Sequence, residues 1–161
     1  GVRVPGVLEW PAHVEKGQET FMASVTSDYF PTILEILGYT LPEKDRRPYD
    51  GISLVPLIEG RMSERPVPIG FQGHGLATFT DNRFKLVHNP AKKRLNHDNG
   101  KTPVAEWELY DLLNDKSETQ NIAECHPEIV NRMRTQLEAW QASCQASSIG
   151  ADYWKTGPVN Q

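Results

Sequence analysis

The apolar residues change rhythm three times along the chain. At the front, Val2, Val4, Val7, Leu8 and Trp10 crowd into one stretch closed by Pro11, which predicts a buried strand over residues 2–10. Such a strand needs neighbours on both sides, because its backbone N–H and C=O groups have to be paired. The expectation is therefore a chain that is the tail of a longer one, recorded from mid-domain. Residues 27–38 then read as a helix: Ser27 or Asp28 caps it, Pro31 sits in the tolerant first turn, and Gly38 stops it. A polar loop from Pro42 to Tyr49 follows. Asp50-Gly51 leads into a short helix over residues 53–59, closed by Gly60.

After about residue 65 the pattern turns to strands. Pro68–Phe71, Leu76–Thr80 and Arg83–His88 are candidates, with Asp81-Asn82 as a two-residue hairpin turn between the last two. Residues 89–104 are polar and basic and read as a surface loop, after which Trp107–Leu112 returns as a strand. Strands adjacent in sequence predict a small antiparallel sheet, distinct from the βα character of the first 60 residues. From Pro127 onward, Ile129, Met133, Leu137, Trp140 and Cys144 recur at three- and four-residue spacing, one stripe of an amphipathic helix over about 127–145. That helix is expected to lie across the sheet. The fold class is α/β with an α+β character: residues 1–64 form one region, and residues 65–161 a sheet-and-helix subdomain.

Composition narrows the classes. With 38% hydrophobic and 24% charged residues, four Trp, five Tyr and five Phe among 161, the chain is neither disordered, collagen-like nor coiled coil. No apolar run approaches the roughly 20 residues needed to span a bilayer, and no signal peptide opens the chain. A formal net charge of −4 argues against nucleic acid as a partner. Cys125 and Cys144 bracket the last helix, whose length holds their ends about 28 Å apart, too far for a disulfide.

Four local patterns suggest chemistry, and each has a plainer reading. Cys125-His126 at a helix start resembles an activated thiol, but a sequence neighbour rarely faces its partner, so a loop and a Pro127-initiated helix is the better reading. Leu95–Glu106 echoes a calcium loop, yet Leu95 and His97 stand where oxygen donors are required. Lys92-Lys93-Arg94 reads as a solvated loop. The five histidines lack the i, i+4 spacing of a zinc helix. His74, between Gly73 and Gly75, is the exception to watch, since flanking glycines let a loop bring an imidazole close to a ligand. No nucleophile elbow, P-loop or dinucleotide motif is present, so the residues alone assemble no catalytic constellation.

Four stretches nonetheless resemble one family in its own order. Gly1-Val2-Arg3-Val4-Pro5 with Trp10-Pro11, Ser27–Leu34, Asp50–Leu57, and Glu108–Leu112 with Asp115, Glu118, Asn121 and Ala123 resemble type I, formylglycine-dependent sulfatases of the alkaline phosphatase superfamily. The resemblance covers essentially the whole chain. It implies that residues 1–64 are the end of a large mixed α/β domain, completing the edge of its sheet. Residues 65–161 would be its C-terminal subdomain, a four-stranded antiparallel sheet with a long helix. It also implies that no catalytic or metal-binding residue lies in this segment: formylglycine and Ca2+ would be held upstream. Cys125-His126-Pro127 mimics part of the family's C-x-P-x-R motif but has Ile129 where Arg is required, and His97–Gly100 imitates D-N-G in the wrong order. The loop Gln72-Gly73-His74-Gly75 would border the substrate cleft, with Gln72 and His74 as candidate substrate-binding residues. The implied parent is a periplasmic or secreted enzyme that hydrolyses sulfate esters of a carbohydrate or aryl compound. The 161 residues alone are expected to be inactive, and the rest of the sulfatase domain to be their partner. The alternatives are a phosphoester or phosphonate hydrolase of the same superfamily and a non-catalytic binding module.

Overall fold

The computed structural model describes residues 4–14, 17–73, 75–89 and 105–152. The chain divides into two compact units, one of residues 1–41 and 49–66, the other of residues 42–48 and 67–161.

In the first unit residues 4–10 are irregular, and all but the half-buried Trp10 are exposed, in place of the expected buried strand. The physical reason is the pairing requirement itself: among the described residues of this unit there is no strand to run beside them. A 3-10 turn at Thr26–Asp28 runs directly into helix α1 (Tyr29–Ile36). The helix ends as its sequence predicts. Tyr39 N–H bonds Leu34 C=O at 2.9 Å and Gly38 N–H bonds Glu35 C=O at 3.0 Å. That wrapped end places Gly38 at φ 59°, where a side chain is disfavoured. Helix α2 (Val55–Ile58) is one turn, with Pro56 in its opening positions.

One carboxylate ties these pieces together. Asp28 is fully buried and its two oxygens take both terminal nitrogens of buried Arg65, each at 2.8 Å. It also accepts the amides of Val25 (2.8 Å) and Ile52 (2.9 Å). Its own backbone C=O takes the Thr32 hydroxyl (2.6 Å), and that hydroxyl oxygen in turn accepts Leu54 N–H (2.9 Å). The segment 51–54 is thus laid against the start of α1. It comes so close that a Cβ on Gly51 would stand 2.0 Å from the carbonyl oxygen of Ser27.

The second unit carries a 3-10 turn at Glu43–Asp45 and a four-stranded antiparallel sheet in the order β1 (Ile69–Gly73), β2 (Leu76–Thr80), β3 (Phe84–His88), β4 (Trp107–Asp111). The register pairs Phe79 with Leu86 and Leu86 with Leu109. Period-two alternation then puts Ala77, Phe79, Leu86 and Leu109 on one face. The stripe of helix α3 (Pro127–Ser148) covers that face, with Met133 and Leu137 fully buried and Ile129 and Trp140 packed at the margin. The helix extends three residues beyond the expected end and stops at Gly150, φ 86°.

The β2–β3 turn differs by one residue from the sequence expectation. Asp81 N–H bonds Phe84 C=O at 3.0 Å, so Asn82 and Arg83 are the central pair. The shift follows from the Asp81 carboxylate, which accepts the amides of Arg83 (2.8 Å) and Phe84 (2.5 Å) and fixes the turn from its first position. Asp111, at the end of β4, pairs with Arg83 at 2.8 Å and accepts Leu113 N–H and the Asn114 amide. The Arg83 bond is the main cause of an Asp111 pKa lowered to about 2.

Two predictions follow from these contacts. Burial alone would raise the Asp28 carboxyl, but the Arg65, Ile52 and Val25 bonds outweigh it and hold its pKa below the ordinary value. Asp28 and Asp111 therefore stabilise the fold above the unfolded carboxylate pKa of about 3.9, and that stability is lost as pH falls from about 4 toward 2. Asp28→Asn leaves Arg65 buried without its counter-ion and is expected to cost about 3–5 kcal/mol in urea unfolding at pH 7. It should also flatten the acid limb; an unchanged midpoint would show that the pair is not structural. Secondly, Gly70 lies against Trp140 so closely that a Cβ there would stand 2.3 Å from the indole. Gly70→Ala should cost about 1–3 kcal/mol, and a parent-like melting temperature would mean that the indole moves aside.

Candidate functional site

Within the second unit, the edge strand β1 and the C-terminal half of α3 enclose an open groove of about 790 Å3. The same close approach that forbids a side chain at residue 70 builds its floor. With no Cβ between them, the β1 backbone rests on the indole of Trp140. Gln72 stands on the helix-facing side of β1, opposite Ala77 in the register, and is exposed. Its Oε1 accepts the Nε2 of Gln141 on α3 at 3.1 Å, bridging the two walls. Gln145 and Ser148 continue the wall one and two turns further along α3, and half-buried Cys144 also lines it.

This lining is neutral. Amides, a hydroxyl, two aromatic side chains and a thiol line the groove, with no charged side chain among its residues. Such a surface donates and accepts hydrogen bonds and offers an apolar floor, which suits hydroxyl groups or an aryl ring. It carries no cation to neutralise a sulfate group.

Of the two candidate substrate-binding residues, Gln72 lines this groove, while His74 lies outside the described residues. The basic triplet at Lys92–Arg94 and the calcium-like stretch from Leu95 as far as residue 104 also lie outside them; Glu106, at that stretch's end, stands 3.7 Å from His88 Nε2. Cys125 is an exposed free thiol, and the neighbouring His126 points its Nδ1 toward Glu128 at 3.4 Å. Two other histidines lie against tryptophans: His13 on Trp10, tilted by 36° with centroids 4.0 Å apart, and His88 stacked on Trp107 at 3.9 Å and nearly parallel. Among the described residues no three His, Cys, Asp or Glu side chains converge as a metal site would require. No described helix is long and apolar enough to cross a membrane. The groove partners Trp140 and Gln141 escape a sequence reading because their roles depend on a strand about 70 residues away. The Gly70-Phe71-Gln72 run that receives them carries a visible glycine but no sign of what fills its place.

Where the quoted motifs fall explains why they stand out in the sequence. Asp115 accepts the amides of Thr119 and Gln120 at 2.7 and 2.8 Å, bonds that lower its pKa. Asn121 Oδ1 accepts the amides of Leu109 and Ala123, both at 3.0 Å. These residues are scaffolding for the end of β4 and the approach to α3. The chain is 43% identical over 61 residues to human steryl-sulfatase, which covers 38% of this chain and 10% of the relative. It is 33% identical over 86 residues to N-acetylgalactosamine-6-sulfatase of Sus scrofa, covering 53% of this chain and 16% of that protein. An uncharacterized sulfatase of Schizosaccharomyces pombe is 27% identical over 150 residues, 87% of this chain and 24% of the relative. No family model matches. Among solved structures, Ps i-CgsB superposes with TM-score 0.62 at 21% identity, over 81% of this chain and 27% of its own. BT4656, solved with its substrate D-glucosamine-2-N,6-O-disulfate, gives 0.56 at 20% identity, over 83% and 27%. The chain is thus similar to sulfatases over parts of its length. It spans about a tenth to a quarter of the length of these curated relatives.

Proposed function

We propose that the protein carrying this chain is a sulfatase that hydrolyses sulfate esters of a carbohydrate or aryl compound, and that this chain forms its C-terminal part. The observation that carries the reading is a coincidence of two kinds of likeness. A local match at 43% identity to a steryl-sulfatase occurs in a chain whose fold superposes on a solved structure described as a sulfatase of Bacteroides fragilis, with TM-score 0.56. The phosphoester or phosphonate hydrolase alternative has no such relative among these matches.

The described residues do not fit a catalytic calcium or a formylglycine: no carboxylate cluster converges, and Ile129 stands where the C-x-P-x-R arginine belongs. In this reading both belong to the part of the enzyme upstream of this segment, and no step of the reaction is assigned here. The role left to this segment is to shape one side of the substrate site. Gln72 and His74 would contact the sugar or aryl portion, and the neutral groove beside Gln72 is suited to that portion rather than to the sulfate itself. Sulfated carbohydrate is favoured because BT4656, of the same fold, was solved with a sulfated glucosamine. The enzyme would work in a periplasmic or secreted setting.

The full-length protein, expressed with a formylglycine-generating system, should turn over 4-methylumbelliferyl sulfate in preference to the matching phosphate. Preference for the phosphate would transfer it to the alternative class. Gln72→Ala and His74→Ala should each raise KM for a sulfated oligosaccharide about 2–10-fold with little change in kcat, the size of one lost hydrogen bond. Unchanged KM in both would remove these residues from the substrate site.

A further inference from the structure

Three primary amides (Gln72, Gln141 and Gln145) and the Ser148 hydroxyl border the groove between β1 and α3, beside the indole of Trp140. The Gln72–Gln141 bond engages one acceptor and one donor. It leaves the Gln72 amino group to donate and the Gln141 carbonyl to accept, the two functions that a pair of neighbouring hydroxyls requires. The half-buried indole, set against the β1 backbone at Gly70, supplies an apolar surface for the C–H face of a sugar ring. The volume of about 790 Å3 lies within the roughly 300–1,000 Å3 of small-ligand clefts.

The electrostatics of the groove are one-sided. No charged side chain stands among the described residues that line it, and further back along α3 Arg134 and Glu138 are paired with each other at 2.7 Å. The groove follows the last turns of a 22-residue helix. The unbonded carbonyls at a helix C-terminus amount to about half a negative elementary charge, and the last turn of α3 holds no basic residue to offset it. Ser148 donates its hydroxyl proton to the Gln145 carbonyl at 2.8 Å, which leaves its own oxygen as a further acceptor. A carboxylate or sulfate placed here would lose water with no cation to meet it, against a negative field. An uncharged ring would give up only the hydration of its hydroxyls, which the amides replace.

We propose that this groove is a subsite for an uncharged sugar ring next to the sulfated one, and that it rejects a neighbouring ring bearing a carboxylate or sulfate. Gln141 is its specificity-determining residue, because it holds the Gln72 amide from the helix wall two turns before the negative helix end. The proposal rests on the reading of the parent protein as a sulfatase of carbohydrates, but its charge selectivity can be measured without hydrolysis.

The test is saturation-transfer NMR of the full-length protein with phenyl β-galactoside and phenyl β-glucuronide as probes. The sugar-ring protons of the galactoside should receive saturation, and its Kd should be lower than that of the glucuronide by about 10-fold or more, the discrimination expected when a charge is left unpaired. Gln141→Lys should reverse the order of the two affinities. Gln145→Lys, on the exposed part of the same wall, repeats the substitution should the first variant fold poorly. Absence of transfer to the galactoside, equal affinities, or an order that neither lysine changes overturns the proposal. Saturation confined to the phenyl protons also overturns it and identifies an aryl pocket. Hydrolysis is then compared for two disaccharides in which the same sulfated N-acetylglucosamine is joined to galactose or to glucuronate. The galactose compound should lead in kcat/KM by about 10-fold or more, and Gln141→Lys should move the ratio toward the glucuronate. Charge-selective binding without sulfate-ester hydrolysis supports the subsite and overturns the sulfatase reading, whereas hydrolysis with no preference between the disaccharides overturns the subsite alone.

Discussion

The first unit is organised around a charge rather than around an apolar core. Of its described apolar side chains only Pro31 and Val55 are buried, whereas Asp28 and Arg65 are buried to a similar or greater degree. A buried ion pair is costly to desolvate, and what offsets that cost here is completeness: both carboxylate oxygens are matched to guanidinium nitrogens, and each also accepts a backbone amide. The bonds from Ile52 and Arg65 also join segments 24 and 37 residues apart in sequence. The second unit is the opposite case. There Leu86, Leu109, Met133 and Leu137 are fully buried, and the polar residues work at the turns and edges.

This difference decides how much of each unit is legible in the sequence. The sheet and α3 follow from period-two and period-3.6 patterns because apolar burial drives them, and a repeating pattern records burial directly. The glycine stops at 38 and 60 are legible for a local reason, since each takes a positive φ. The first unit leaves a fainter trace. Ser27 and Asp28 look like ordinary helix caps, yet Asp28 makes no such cap bond and spends its oxygens on the segment near residue 52 and on Arg65. Nothing around Arg65 announces that it is buried. Residues 2–10 mislead for a related reason, because a run of Val records a preference for being covered and not the presence of a cover.

The two family-like stretches Ser27–Leu34 and Asp50–Leu57 are, in physical terms, one object. Asp28 holds Ile52, Thr32 holds Leu54, and Gly51 leaves room for the Ser27 carbonyl. Read separately they look like two weak motifs. Folded, they are the two sides of a single joint. The candidate site has no such redundancy: Gln72 meets Gln141 through one side-chain bond between exposed amides, a contact that leaves no pattern in either segment.

The way β4 is finished gives the sheet a direction. Its outer side is engaged by the Asn121 side chain and by Ile122, whose amide bonds the Leu109 carbonyl at 2.9 Å. A strand from another molecule meets occupied donors and acceptors there. At the far side β1 pairs with β2 and with no other described strand. Unwanted ribbon growth between molecules would therefore be one-sided, entering along Ile69–Gly73, where strand brevity and two glycines make a poor template.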